Sequence, residues 1–408
     1  MQTVVLLFQL GWRNLWRNSR RNLLLAAAIG LGVASIVVAA GLLRGWQADL
    51  QHDAVLAAGG HLDIMRPGYR GDPHARYAFA VPAALAASLD AARVPWTARV
   101  AIPAVLQSER ETRGINLVGV DPAFEARYGA LADAVLRGES LHGVDDTQVL
   151  LGAELARRLR TRPGKRIVFT VNDATGRSHE VGARVAGTFD VEGTGTEISV
   201  AFVGRATLQH IIAAEPRVTD IALQLPDDAQ RRAWQRDLHT QLPAFAVLDW
   251  RGLQPQIASM VDLVDAMMWI WFAVLLTALS FGVANTLITA VLERARELGL
   301  MFVLGMRRGL ILQQVIVESM LVVALGLAIG LATAAAWLVW LREGLDLSRW
   351  AEGLQAVGGP SRLVPNTRLS DVLLVGVLVL VLGLLSALYP AWRAVRLDPL
   401  EALHGRKI

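Results

Sequence analysis

The sequence predicts a membrane protein of four transmembrane α-helices, with an α+β extracytoplasmic domain inserted between helices 1 and 2. Three observations predict it. Of 408 residues, 53% are apolar and 19% charged, too apolar a balance for soluble domains alone. Four uncharged apolar runs are each long enough to cross about 30 Å of hydrocarbon. Between the first run and the second lies a long stretch, 46–258, of ordinary soluble composition.

In chain order, residues 1–21 form a basic N-terminal segment and 22–45 the first span, whose uncharged core is Leu23 to Leu43. A cleaved signal peptide is the competing reading of this start. The run is about 20 residues, long enough to span, and ends at Gly41-Leu42-Leu43-Arg44 rather than at a small-x-small site, so it reads as a retained anchor. Within 46–258, Gly114 to Val120, Arg166 to Val171 and Ile198 to Val203 read as strands, and Pro82 to Ala92 and Leu150 to Leu159 as helices, giving an α+β domain of two subdomains. The second span covers 259–292, with Asp262 and Asp265 as candidate caps. A short cytoplasmic helix covers 293–308, the third span 309–341, an outer loop 342–370, the fourth span 371–392 and a tail 393–408.

Charge sets the topology. The N-terminal segment carries Arg13, Arg17, Arg20 and Arg21 without an acid, the 293–308 loop carries Arg294, Arg296, Arg307 and Arg308, and the tail carries Arg393, Arg396, Arg406 and Lys407. All three fall on one side if the four runs span, and the positive-inside rule makes that side cytoplasmic. The inserted domain, with 23 basic against 26 acidic residues from 46 to 262, then lies outside, in a multi-pass protein with both termini cytoplasmic. The pI near 9.9 rests on a net charge of only +4, and the basic residues flank apolar runs, which fits the lipid bilayer as partner and no nucleic acid.

Catalytic chemistry is poorly represented. There are no cysteines, the eight histidines are scattered without ligand spacing, and no metal site, Ser/His/Asp set or carboxylate pair stands out. Thr161-Arg-Pro-Gly-Lys-Arg166 lacks the upstream glycine and following Ser or Thr of a phosphate-binding loop. The chain reads as a non-catalytic membrane subunit that binds no cofactor itself.

The segment from Glu293 to Arg308 is the most informative. Glu293 and Glu297 share one helix face and Leu300 and Leu304 another, with Gly299 and Gly305 allowing close approach. Such a helix either docks into a groove of a soluble partner or lies at the lipid surface. The stretch resembles the cytoplasmic coupling segment of the MacB/FtsX/Lol-type permease family of ABC transporters, matching its pattern at Glu293, Arg294, Arg296, Glu297, Leu298, Gly299, Leu304 and Gly305. The closing Tyr389-Pro-Ala-Trp-Arg-Ala-Val-Arg-Leu-Asp-Pro-Leu-Glu-Ala-Leu403 and the opening Trp12-Arg-Asn-Leu-Trp-Arg17 resemble that family's terminal signatures. Val149 to Ala156 and Val118 to Pro122 are similar to its core-domain patterns, although Lys165 stands where the family often has an acid.

That resemblance implies a mechanotransmitting permease that pairs as a homodimer or heterodimer with a second permease, on two copies of a separate ABC ATPase subunit that holds the ATP and Mg. It makes 293–308 the coupling helix, with Leu300 among the ATPase-coupling residues, and it implies the bacterial inner membrane as location, with the inserted domain periplasmic. The tasks it leaves open are release of a lipoprotein or other lipophilic substrate to a periplasmic carrier, efflux through an adaptor protein in a MacB-like tripartite pump, FtsX-like control of a periplasmic hydrolase, and sensing. The outer loop from Arg342 to Asp371 and the total length look closest to Lol-type lipoprotein-releasing permeases.

Two further groups stand out. Leu42, Trp46, Met267, Met268, Trp271 and Phe272 gather at the outer mouths of the first two spans, where they either contact a lipophilic substrate or form an aromatic belt. Gly326 and Gly330 form a small-xxx-small element for close helix packing or a dimer contact, Gly30 and Gly32 read similarly, and Glu318 lies within the third span.

Overall fold

The computed structural model describes residues 9, 11–13, 16–17, 19–132, 134–191, 196–293, 300, 306–347, 349 and 362–395. Two compact units emerge, one of helices drawn from 1–48, 262–350 and 361–408 and one of mixed α and β structure from 49–261.

Among the described residues, four helices are long and apolar enough to cross a membrane: α1 Ser19–Ala58, α2 Pro255–Glu293, α3 Arg308–Trp340 and α4 Leu369–Val395. α1 continues well past the expected boundary at 45. Leu50, Ala54 and Val55 keep an apolar stripe at helical spacing and are buried, so the helix has a face to pack beyond its uncharged run. It stops at Gly59, whose φ of +81° suits glycine at a helix C-terminus. α2 starts at Pro255, earlier than expected, where a missing amide hydrogen costs nothing. Asp262 and Asp265 therefore lie inside α2 and do not cap it.

Within the helical unit α1 is the most enclosed. Ala26, Ile29, Val33, Val37 and Ala40 recur every three or four residues, and all are buried in one core with Met268, Phe272 and Leu276 of α2, Val322 and Val323 of α3, and Val375 and Val379 of α4. Lipid is as apolar as this core, so association rests on close packing and hydrogen bonds rather than on escape from water. Gly383 of α4 receives the Val323 side chain, Gly32 of α1 receives Leu279 of α2, and the hydroxyls of Ser280 and Ser386 meet at 2.9 Å between α2 and α4.

Among the described residues the mixed unit is built on ten strands: β1 Leu62–Met65, β2 Trp96–Gln107, β3 Thr112–Val120, β4 Val135–Gly138, β5 Val149–Gly152, β6 Arg166–Asn172, β7 Ser178–Asp190, β8 Val200–Gly204, β9 Asp220–Leu223 and β10 Ala246–Asp249. Their order is β10-β1-β9-β2-β3-β8-β5-β7-β4, with β6 joining β2 to β7. β2 belongs to two groups of strands: Trp96 to Arg99 pair with β9, while Val100 to Gln107 pair with β3. One apolar core, including Leu62, Val100, Leu117, Val149, Phe169 and Leu223, extends through both.

Two expected elements differ. Leu150 and Leu151 lie in β5 and the helix starts only at Ala153, because both leucines are fully buried on opposite faces of a strand held between β7 and β8. Residues 196–199 make a helical turn with Ile198 exposed, and the strand expected from Ile198 starts at Val200, where pairing with β3 starts.

Candidate functional site

At one end of the helical unit, charged groups from three helices converge. Arg44 of α1 directs Nε to Asp371 Oδ2 at 3.0 Å, Nη2 to Asp371 Oδ1 at 3.5 Å, and Nη1 to both Asp265 Oδ1 of α2 at 3.0 Å and Gln47 at 2.8 Å. The fork geometry toward Asp371 of α4 is the bidentate form that arginine favours with carboxylates. The side chains of Arg44 and Asp371 are only 13% and 15% exposed, against 43% for Asp265. Beside this cluster the chain before α4 crosses α1 at backbone distance. Asn366 donates its amide to the Gly41 carbonyl at 2.8 Å, and a Cβ on Gly45 would stand 2.0 Å from the Val364 carbonyl oxygen.

The apolar residues expected at this end divide by face. Met267 and Trp271 are exposed, with Leu263, Ile270 and Val274 beside them, and Leu42 and Trp46 are half-buried. Met268 and Phe272, expected as substrate contacts, are instead packed in the helical core, because they continue the buried stripe Val264, Met268, Phe272 and Leu276 that α2 presents to its neighbours. On α2 the apolar side chains left exposed at this end are those of Met267, Trp271 and their neighbours.

Gly326 and Gly330 lie where α3 crosses α1. A Cβ on Gly326 would come within 2.7 Å of Ile29 Cβ and 3.0 Å of the Ala26 carbonyl, and one on Gly330 within 2.6 Å of Val33 Cβ and 2.7 Å of the Gly30 carbonyl. Gly30 faces them in return: a Cβ there would lie 3.1 Å from the Gly326 carbonyl oxygen and 3.2 Å from the Gly330 amide nitrogen. Backbone meets backbone here, so this glycine face is occupied within the subunit. Of the coupling residues, Glu293 is the last residue of α2 and Leu300 is exposed, whereas Arg294, Arg296, Glu297, Leu298, Gly299, Leu304 and Gly305 lie outside the described residues. Glu318 is half-buried within α3.

The mixed unit holds a buried charge cluster that the sequence did not reveal. Arg99 on β2 bonds Asp220 of β9 through Nε at 2.7 Å, Asp63 of β1 through Nη2 at 3.1 Å, and the Ala58 carbonyl at 3.0 Å. Its Nη1 would lie 1.3 Å from a Cβ on Gly59, so that glycine both ends α1 and admits the guanidinium. Burial, and next the neighbouring Asp220, push the Asp63 carboxyl well above the usual carboxylate range, against the pull of Arg99, and Asp63 Oδ1 has no partner. Burial also pushes Glu125 up, opposed by Arg99 and by the Ala130 amide that it accepts at 3.1 Å. Arg99 and Glu125 line a cleft of about 90 Å³ with Leu56, Val118 and Phe202. Among the described residues no cluster of His, Asp and Glu could hold a metal.

Comparison with known proteins agrees with this architecture. Residues 23–241 match the MacB-like periplasmic core domain, and residues 269–399 match the FtsX-like permease C-terminal region. The lipoprotein-releasing system transmembrane protein LolC of Xylella fastidiosa (strain 9a5c) is 24% identical over 395 residues, covering 92% of this chain and 91% of that protein. LolE of Haemophilus influenzae is 22% identical over 414 residues, covering 97% and 98%. The macrolide export ATP-binding/permease protein MacB of Syntrophobacter fumaroxidans is 31% identical over 159 residues, 39% of this chain and 20% of that one. With a MacB-like periplasmic core domain followed by an FtsX-like permease region, the chain belongs to the Lol/MacB-type family of ABC transporter permeases.

Proposed function

We propose that this chain is the mechanotransmitting permease of a lipoprotein-releasing ABC system, moving a lipoprotein or similarly lipophilic substrate out of the outer leaflet of the inner membrane. The observation that carries the reading is the end-to-end similarity to LolC and LolE, 92% and 97% of this chain, against 39% and 48% for macrolide export MacB proteins. The mixed unit and the Arg44 end of the helices then face the periplasm, and both termini face the cytoplasm. Exposed Met267 and Trp271 offer an adaptable apolar surface to acyl chains. Energy comes from two copies of a separate ATPase that bind ATP and Mg and dock on 293–308, and a second permease completes the pair. A periplasmic carrier receives the substrate.

The test is purification of the tagged full chain in mild detergent from its own cells, with mass spectrometry of bound proteins and lipids. Recovery of an ABC ATPase together with lipoprotein supports the proposal. Recovery with an adaptor protein and no lipoprotein points to efflux, and absence of any ATPase removes the permease reading.

A further inference from the structure

The four long helices are not joined alike. α1 and α3 touch backbone to backbone through Gly30, Gly326 and Gly330. α3 and α4 interlock where Val323 fills the space over Gly383. α1 and the start of α4 are tied three times over, by the bidentate Arg44–Asp371 pair, by the Asn366 amide on the Gly41 carbonyl, and by the approach of the Val364 carbonyl to Gly45. Such contacts exist in one register only, since a shift of a fraction of an ångström breaks them. α2 is held differently. Its contacts with α1 and α4 run mainly through side chains: Leu279 over Gly32, Met268, Phe272 and Leu276 in the shared core, the Ser280 and Ser386 hydroxyls, with Ser386 also donating to the Ser280 carbonyl at 3.4 Å, and an ion pair of Asp265 with Arg44. Asp265 is 43% exposed, and an ion pair half open to solvent contributes little and breaks readily.

We infer that α1, α3 and α4 move as one body, that α2 is the helix that swings against it, and that Arg44–Asp265 is the latch closing the two at their Arg44 end. Arg44 is suited to this task because it never loses its partner: with Asp265 gone, both Asp371 oxygens still hold the guanidinium, so opening leaves no buried unpaired charge. Opening frees the Asp265 carboxylate, which is already near water. This inference rests on the permease reading only for its link to turnover.

The chain contains no cysteine, so paired cysteines lock one seam at a time. The full transporter, reconstituted in liposomes with its ATPase, is compared in oxidised and reduced form. Locking α1 to α2 with Gly32→Cys and Leu279→Cys is expected to slow MgATP hydrolysis about tenfold on oxidation, with recovery on reduction, while locking α1 to the start of α4 with Gly41→Cys and Thr367→Cys changes it less than about twofold. Equal arrest by both locks, or by neither, overturns the inference. A second arm needs no ATPase: Asp371→Asn lowers the melting temperature of the purified chain, and Asp265→Asn leaves it within error. An equal loss in both variants also overturns the latch, and this arm stands even if no ATPase is found, which separates its failure from that of the permease reading.

Discussion

Gly330→Ala puts one methyl group at the crossing of α1 and α3. The added carbon would lie 2.6 Å from Val33 Cβ and 2.7 Å from the Gly30 carbonyl oxygen, whereas carbon atoms rest about 3.5–4.0 Å apart. The helices must separate by about 1 Å, and because both neighbours are fixed parts of α1, no flexible side-chain end can give way. Overpacking of this kind costs about 1–3 kcal/mol. Gly282→Ala in α2 is the control: its Cβ would meet nothing within 4 Å, and exchanging glycine for alanine inside a helix gains about 0.8 kcal/mol. Thermal unfolding of the full chain in detergent should therefore move in opposite directions, down for Gly330→Ala and level or up for Gly282→Ala. Replacing Val33 with Gly in the Gly330→Ala background should recover part of the loss, because the two sites are in contact. If Gly330→Ala melts at or above the wild-type temperature, α1 and α3 do not cross at these glycines, and the three-helix body loses its central joint.

Further outcomes follow from the same contacts. Phe272→Ala, in the helical core, should cost on the order of 3 kcal/mol in unfolding measurements. Met267→Ala, on the exposed face, should cost about 0.5 kcal/mol or less while lowering lipoprotein release in a reconstituted assay. Replacing Glu297 or Gly299 should uncouple ATP hydrolysis from transport and leave membrane insertion intact; coupled activity in both variants would remove the docking assignment for 293–308. The raised Glu125 carboxyl makes its share of stability full below the ordinary carboxylate pKa and lost as pH rises through the folded value, so that share declines as pH rises above the ordinary carboxylate range. Glu125→Gln should flatten that decline in melts run at pH 5 and pH 8, and an unchanged slope would show that Glu125 does not titrate there.

The spans were legible because length and apolarity alone specify them. Which side of a span is buried was not, because α2 is apolar all round and only its neighbours distinguish Met268 from Met267. The same ambiguity misplaced Leu150 and Leu151, whose unbroken apolar run suits a doubly buried strand as well as a helix. The Arg44 cluster joins residues 221 and 327 positions apart, yet it left a trace: Arg44, Asp265 and Asp371 each stand at the border of an apolar run, on the side that topology brings together. The buried Arg99 group left none, since an arginine and two aspartates scattered along the sequence read as solvated charges until the pairing of β9 with β2 and β1 encloses them.

Strand β2 sets a practical limit on recombining this protein with its relatives. Its first residues complete one group of strands and its remaining residues the other, so no cut between Trp96 and Gln107 yields two intact pieces. A one-residue slip introduced there would turn inward-facing side chains outward in both groups at once. Chimaeras that exchange the mixed unit whole keep this ladder in register, while those that exchange half of it leave unpaired strand edges open to other chains. Within the unit, surface recognition is therefore better altered in the loops between strands than by moving the strands themselves.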